Sequence, residues 1–248
     1  MKRSDISDDT PIFRYMELSH LIELLETCKF RLNLRGNFSD YLEKNLNLRH
    51  QFIIQNVGQT VSKDLNRQLF QRANDLANKS DKHRIFRQLP ASCWTLNPLE
   101  DALMWRSYCS AYGIRIQSTV GKILQCPKQL ESDMSYEHIS WIYSAIEYTT
   151  DNIYRDAETN LFTKCSAYKH EEEFRFYLCR ILDDSAIIPP ILNSNNEMNY
   201  LELHVEPNIM LDNITFSPYF KKCVAEKFCE WIQNSYGIKA KPSNLICK

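Results

Sequence analysis

The run Phe162-Thr163-Lys164-Cys165-Ser166-Ala167-Tyr168-Lys169-His170-Glu171-Glu172-Glu173-Phe174-Arg175-Phe176-Tyr177-Leu178 passes from three consecutive glutamates straight into an apolar, aromatic segment. If extended backbone begins at the glutamates, the two-residue side-chain period puts Glu171, Glu173 and Arg175 on one face and Glu172, Phe174 and Phe176 on the other. Two carboxylates and a guanidinium then share one patch. Like charges at that spacing raise one another's pKa and an arginine lowers it, which is how proteins tune an acid or a base. The same pattern also fits a solvated acidic turn ahead of a core strand, with Arg175 as an ordinary cross-strand partner.

Upstream of this run, Tyr136 to Tyr148 is apolar on both faces, as a central strand is. Ile114 to Ser118 alternates as a strand after Gly113, with Ser118 or Thr119 capping a short helix up to Leu124. Ala91 to Leu96 reads as a buried strand, and Asn97 or Pro98 opens a helix from Leu99 to Ser110. Near the start, Pro11 to Met16 is a short strand. Ser19 can cap the helix after it, whose stripe is Leu18, Leu21, Ile22, Leu25 and Cys28. Phe30, Leu32 and Leu34 then alternate with polar residues in a strand ended by Gly36.

Residues 39–80 read as a charged helical insertion with a Val61, Leu65, Leu69, Ala73 and Leu76 stripe. Downstream, 185–198 reads as a surface loop and Tyr200 to Val205 as a strand. Ser217-Pro218 opens a last helix whose core face is Phe220, Val224, Phe228, Trp231 and Ile232. Together these elements predict one α+β domain over residues 1–248. Its centre is a mixed, mostly antiparallel sheet with flanking helices, the insertion at about 39–80, and an N-terminal tail at 1–10.

Composition excludes several function classes. Thirty basic residues against 31 acidic ones give a net charge of -1, so no global field draws the protein to nucleic acid or an anionic membrane. Nine cysteines include no Cys-x-x-Cys pair and sit mostly in apolar segments, which suits reduced thiols better than disulfides or a zinc site. Five glycines cannot be arranged into a dinucleotide-binding or P-loop cradle, so any bound nucleotide must be held by side chains. The opening residues carry no apolar signal core and no 18-residue apolar run exists, so a cytoplasmic protein without membrane contact is expected. No metal is expected either. The six histidines do not cluster, and neither Asp40 nor Asp101 can be placed beside the glutamates.

The order of motifs resembles an uncharacterised bacterial family, domain of unknown function 2971, over roughly residues 11–246. The carrying motifs are Phe13-Arg14-Tyr15-Met16, Ser92-Cys93-Trp94-Thr95, Ala102-Leu103-Met104-Trp105-Arg106-Ser107-Tyr108, Gly113-Ile114-Arg115-Ile116-Gln117-Ser118-Thr119 and the late Lys-His-Glu-Glu-Glu-Phe-Arg. Where such proteins carry an Asn-Asp-Pro-Phe-like stretch, this chain has Gly36-Asn37-Phe38-Ser39-Asp40. A second resemblance lies in the layout. A first strand with Arg beside Tyr, a helix, a middle strand with Ser or Thr and a late strand with Glu is similar to that of ADP-ribosyltransferases, with Arg14, Thr95 and Glu173 (or Glu171) in the three places.

That resemblance implies NAD as substrate, held by side chains in a cleft. Breaking the nicotinamide–ribose bond passes through an oxocarbenium-like centre, which a carboxylate stabilises; Glu173 is the first candidate. Glu171 is the candidate to orient or deprotonate an acceptor. Arg14 would take a phosphate in its fork of donors, with Arg175 alongside, and Tyr15, Trp94 or Tyr108 would stack on a ring. Each has a structural alternative: Arg14 as a salt-bridge partner of the glutamates, the aromatics as core, and Lys164 as a simple charge balance. The expected function is an NAD-using transferase or glycohydrolase effector, of the toxin or phage-defence kind, with a protein or nucleic-acid acceptor. The alternative is a catalytically silent binding subunit of a defence complex, in which the charged cluster is a buried polar network.

Overall fold

The computed structural model describes residues 6–35, 53–56, 88–126, 139–149, 161–182, 186–190 and 199–245. Strand β1 (Pro11–Glu17) runs directly into α1 (Leu18–Thr27), and β2 (Lys29–Leu34) returns beside it. There follow β3 (Ile53–Asn56), β4 (Pro90–Thr95), α2 (Ala102–Tyr108), β5 (Gly113–Thr119), α3 (Val120–Gln125) and β6 (Ile139–Ala145). Short strands β7 (Glu147–Thr149) and β8 (Thr163–Cys165) lead through a 3-10 turn at Ser166–Glu171 into the long β9 (Glu173–Leu182). The chain closes with β10 (Ala186–Ile188), β11 (Tyr200–His204), α4 (Pro207–Met210), β12 (Asn213–Phe216), α5 (Lys222–Tyr236) and β13 (Lys239–Pro242).

Eleven strands form one sheet in the order β13-β12-β5-β1-β4-β9-β6-β3, with β10 on β9 and a β2–β11 branch on β4. Among the described residues every pairing in it is antiparallel except β12–β13, so the fold is mixed α+β with a mostly antiparallel sheet. Strand β4 is where the sheet divides. On one side it pairs with β9 from Ala91 to Thr95. On its other side β1 meets it at Phe13↔Thr95 and β2 at Asn33↔Ala91 and Leu34↔Pro90. These two neighbours reach β4 at opposite ends, and the gap between them opens a notch in the sheet.

Alternation along β9 sorts the core. Phe174, Phe176 and Leu178 face the main cluster, which also takes Leu21, Leu24 and Leu25 of α1, Ile123 and Leu124 of α3, and Ala225 and Ile232 of α5. Arg175, Tyr177 and Cys179 face the other way. That second face is covered in two separate pieces: Tyr15 with Met104 and Trp105 of α2, and Tyr177 with Leu161 and Phe162 before β8. Between the two covers, among the described residues, neither cluster extends over the sheet, and the notch opens into that interval.

Several local expectations change. The strand after the glutamates begins at Glu173, because Glu172 adopts a left-handed conformation (φ 43°) and reverses the chain out of the 3-10 turn. Glu171 is therefore not on the strand. Of the expected helical insertion, Ile53–Asn56 form a strand against β6. The rest of it lies outside the described residues. Helix α2 starts at Ala102, not Leu99, because Asp101 caps it by accepting from Leu103 N and Met104 N. Helix α5 starts at Lys222. Ser217 accepts instead from Tyr219 N in a separate turn. Ala186–Ile188, expected within a loop, pair with β9.

Candidate functional site

The notch and the sheet beside it line one cavity of about 430 Å³, within the size range of small-molecule sites. All eight residues singled out in the sequence line it: Arg14, Tyr15, Trp94, Thr95, Tyr108, Glu171, Glu173 and Arg175. Lys164 and Cys93 line it as well. Thr95 joins β1 to β9 in one cross-sheet row, Phe13–Thr95–Glu173.

The carboxylates are anchored from three directions. Glu173 leads β9, its N–H donating to the Tyr148 hydroxyl at 2.8 Å. Arg175, two residues on and on the same face, meets it with a fork: Nε to Oε1 at 2.5 Å and Nη2 to Oε2 at 2.7 Å. Lys164, entering from β8, donates to Glu173 Oε2 at 3.2 Å and to Glu171 Oε2 at 2.8 Å. The remaining Glu171 oxygen, Oε1, accepts from the Tyr108 hydroxyl at 2.8 Å. The left-handed turn at Glu172 delivers Glu171 to this point, so a 3-10 turn and not strand period brings the two carboxylates together.

Both glutamates are nearly inaccessible, Glu171 4% and Glu173 6% exposed. For Glu173, burial by itself raises the pKa. The Arg175 guanidinium outweighs it, with Lys164 helping, and the carboxyl is held down at about 2. It is thus a fixed negative charge at physiological pH. The Cys93 thiol on β4 also bonds to it and lowers it further. Burial pushes the hydroxyls of Tyr108 and Tyr148 upward, so both remain proton donors.

On the far wall, Arg14 Nη1 donates to Ser92 Oγ at 3.0 Å, and its guanidinium lies over the Phe30 ring at 5.4 Å. The same Ser92 oxygen accepts from Trp94 Nε1 at 2.8 Å. Among the described residues Arg14 makes no ion pair, so the expected alternative of a bridge to Glu171 or Glu173 is not what the chain forms. Burial disfavours its charge and lowers its pKa.

The remaining candidates are turned toward the protein. Tyr15 packs edge-on against Trp105 at 4.8 Å and its hydroxyl accepts from Asp101 N. Trp94 is buried against Phe30, and Thr95 Oγ1 accepts from Asn97 N in the turn after β4. Arg175 is the partner of Glu173 and not a free phosphate fork. The exposed rings at the mouth are Tyr108, 44% exposed, and Tyr168, 39% exposed, over which Lys164 Nζ sits at 4.6 Å. Sequence reasoning treated Lys164 as charge balance and passed over Ser92; neither has a periodicity that would mark it. Among the described residues, no three His, Cys, Asp or Glu side chains gather to hold a metal ion.

No protein-family model matches the sequence, and no curated protein does. Among solved structures, the chain aligns with Thermus sp. 2.9 DarT in complex with ADP-ribosylated ssDNA, at 8% identity and a TM-score of 0.38, over 99% of this chain and 98% of that one.

Proposed function

We propose that the cavity binds NAD as a substrate and that the chain is an ADP-ribosyltransferase or NAD glycohydrolase. The observation that carries this is the pairing of Arg14, a half-buried guanidinium with no counter-ion among the described residues, with the ionised Glu173 across one cavity. A ligand with an anionic centre and a reacting centre that becomes cationic satisfies both. The pyrophosphate would take Arg14, whose unmet charge is a cost until an anion arrives.

The chemistry then follows from the carboxylates. As the nicotinamide–ribose bond breaks, nicotinamide leaves with the bonding electrons and positive charge develops on the ribose, where the fixed charge of Glu173 favours it. Water or an acceptor forms the new bond to the ribose carbon and gives up a proton. Glu171 takes that proton, because its Oε1 partner is the half-exposed phenol of Tyr108, which a substrate hydroxyl can displace. Transfer to a protein or nucleic acid, and a role as a toxin or phage-defence effector, belong to the same proposal, as does membership of the family of unknown function that the motifs resemble.

The fork of Arg175 on Glu173 favours a second reading, a silent binding subunit whose charged cluster only fixes the fold. One experiment separates them. Incubate the full chain with carbonyl-labelled and adenine-labelled NAD, with and without cell protein and nucleic acid. Nicotinamide release or adenylate label transfer that Glu173→Gln abolishes supports the enzyme; no release and no transfer leaves the binding subunit.

A further inference from the structure

Among the described residues, Lys164 is the one cation that touches both glutamates, and it arrives from outside the main sheet. Strand β8 pairs in parallel with β7 in a separate two-stranded ribbon, and that ribbon places the lysine, 6% exposed, between Glu171 and Glu173. Among the described residues, the groups facing the pair from other elements are Tyr108 on α2, Tyr148 on β7, Cys93 on β4, Tyr168 in the 3-10 turn and Arg175 on β9. Of these only Arg175 is positive, and its fork is engaged on Glu173. Without the ammonium, two buried carboxylates would face each other with Arg175 as their one bonded cation among the described residues, a state that proteins relieve by taking up a proton.

We propose that Lys164 is a positioning residue that keeps the Glu171–Glu173 pair doubly ionised and thereby sets the lower pH limit of the site. This rests on the NAD-consuming reading for its effect on rate, and on geometry alone for its effect on protonation. Glu173 keeps the Arg175 fork in either case. The proton taken up when Lys164 is lost therefore blocks the acceptor-side carboxylate and spares the charge opposite the ribose.

The test uses the full chain with Lys164→Met and Lys164→Arg. A protonated-carboxyl infrared band at pH 7 is expected in K164M, absent in the wild type and in K164R, and absent again in Lys164→Met/Glu171→Gln. In the same variants, the acid limb of nicotinamide release should move up by about two pH units, to near pH 7, in K164M, about tenfold slower at pH 6 with recovery at high pH. K164R should keep the wild-type profile. No protonated-carboxyl band in folded K164M overturns the proposal. If the wild type releases no nicotinamide, the NAD reading fails while the infrared arm still decides this one. If K164M does not fold, the charge-balanced Lys164→Met/Glu171→Gln is expected to fold; its failure as well would show Lys164 to be needed for packing and overturn the proposal.

Discussion

Arg14 Nη1 lies 3.0 Å from Ser92 Oγ, and that hydroxyl is its hydrogen-bond partner among the described residues. A guanidinium taken partly out of water without a carboxylate is tolerated for a reason other than stability. Replacing it with Met should leave the melting temperature unchanged or raise it, while raising KM for NAD by about tenfold or more. A melting curve and a nicotinamide-release assay on Arg14→Met check both halves. A drop in melting temperature of several degrees with KM intact would make Arg14 structural.

Glu173 should be visible in acid stability. Its folded-state carboxyl is lowered to about 2, below the unfolded value near 4.5, so the unfolded chain takes the proton first. The stability it contributes is complete above about 4.5 and is lost as pH falls from there through about 2. Its size is on the order of 3 kcal/mol. Urea melts of wild type between pH 5 and 2 should therefore steepen in pH dependence relative to Glu173→Gln, which is destabilised throughout by breaking the buried ion pair with Arg175, by about 3–5 kcal/mol. Parallel curves would remove the ion pair as the cause.

Glu172 holds φ at 43° and ψ at 47°, a left-handed conformation that costs a non-glycine residue roughly 1 kcal/mol. Glu172→Asn, which tolerates that region, should raise stability by about 0.5 kcal/mol and preserve the Glu171 position. Glu172→Val should lose at least about 1 kcal/mol and, by misplacing Glu171, slow turnover. Thermal melts and initial rates on the two variants measure the contrast.

Tyr15 separates packing from ligand contact. Its ring meets Trp105 and its hydroxyl accepts from Asp101 N, the cap of α2. Tyr15→Phe should cost about 1 kcal/mol by leaving that N–H without its acceptor, and should leave KM for NAD within about twofold. An unchanged stability with a large rise in KM would reverse the assignment and make Tyr15 a ligand contact.

Much of the framework was legible in the chain because it rests on local periodicity. The Phe174–Phe176–Leu178 alternation, the Leu21–Leu25 helix stripe and the strand after Gly113 all state which face is apolar, and burial follows. Boundaries were less legible where a side chain competes for a backbone donor. Asp101 takes the cap of α2 from Asn97, and Ser217 closes its own turn instead of starting α5. Strand β3 was hidden because four extended residues carry too little pattern to outweigh the helical stripe that the sequence suggests just after them.

For the site, the sequence by itself determined the ingredients: a phosphate cradle of glycines was excluded, and Arg14, Glu171, Glu173 and Arg175 were marked by type and order. Their meeting was decided by the tertiary structure. Lys164, seven residues before Glu171, becomes its partner through a ribbon that no spacing rule predicts. Arg14 and Glu173 share a cavity because β1 and β2 reach β4 at opposite ends and leave a notch between them. The glutamate run was first legible as one strand face. Its working geometry instead comes from a left-handed turn at Glu172 and from cations supplied by β8 and β9, because electrostatic pairing depends on distance in space, which sequence order does not encode.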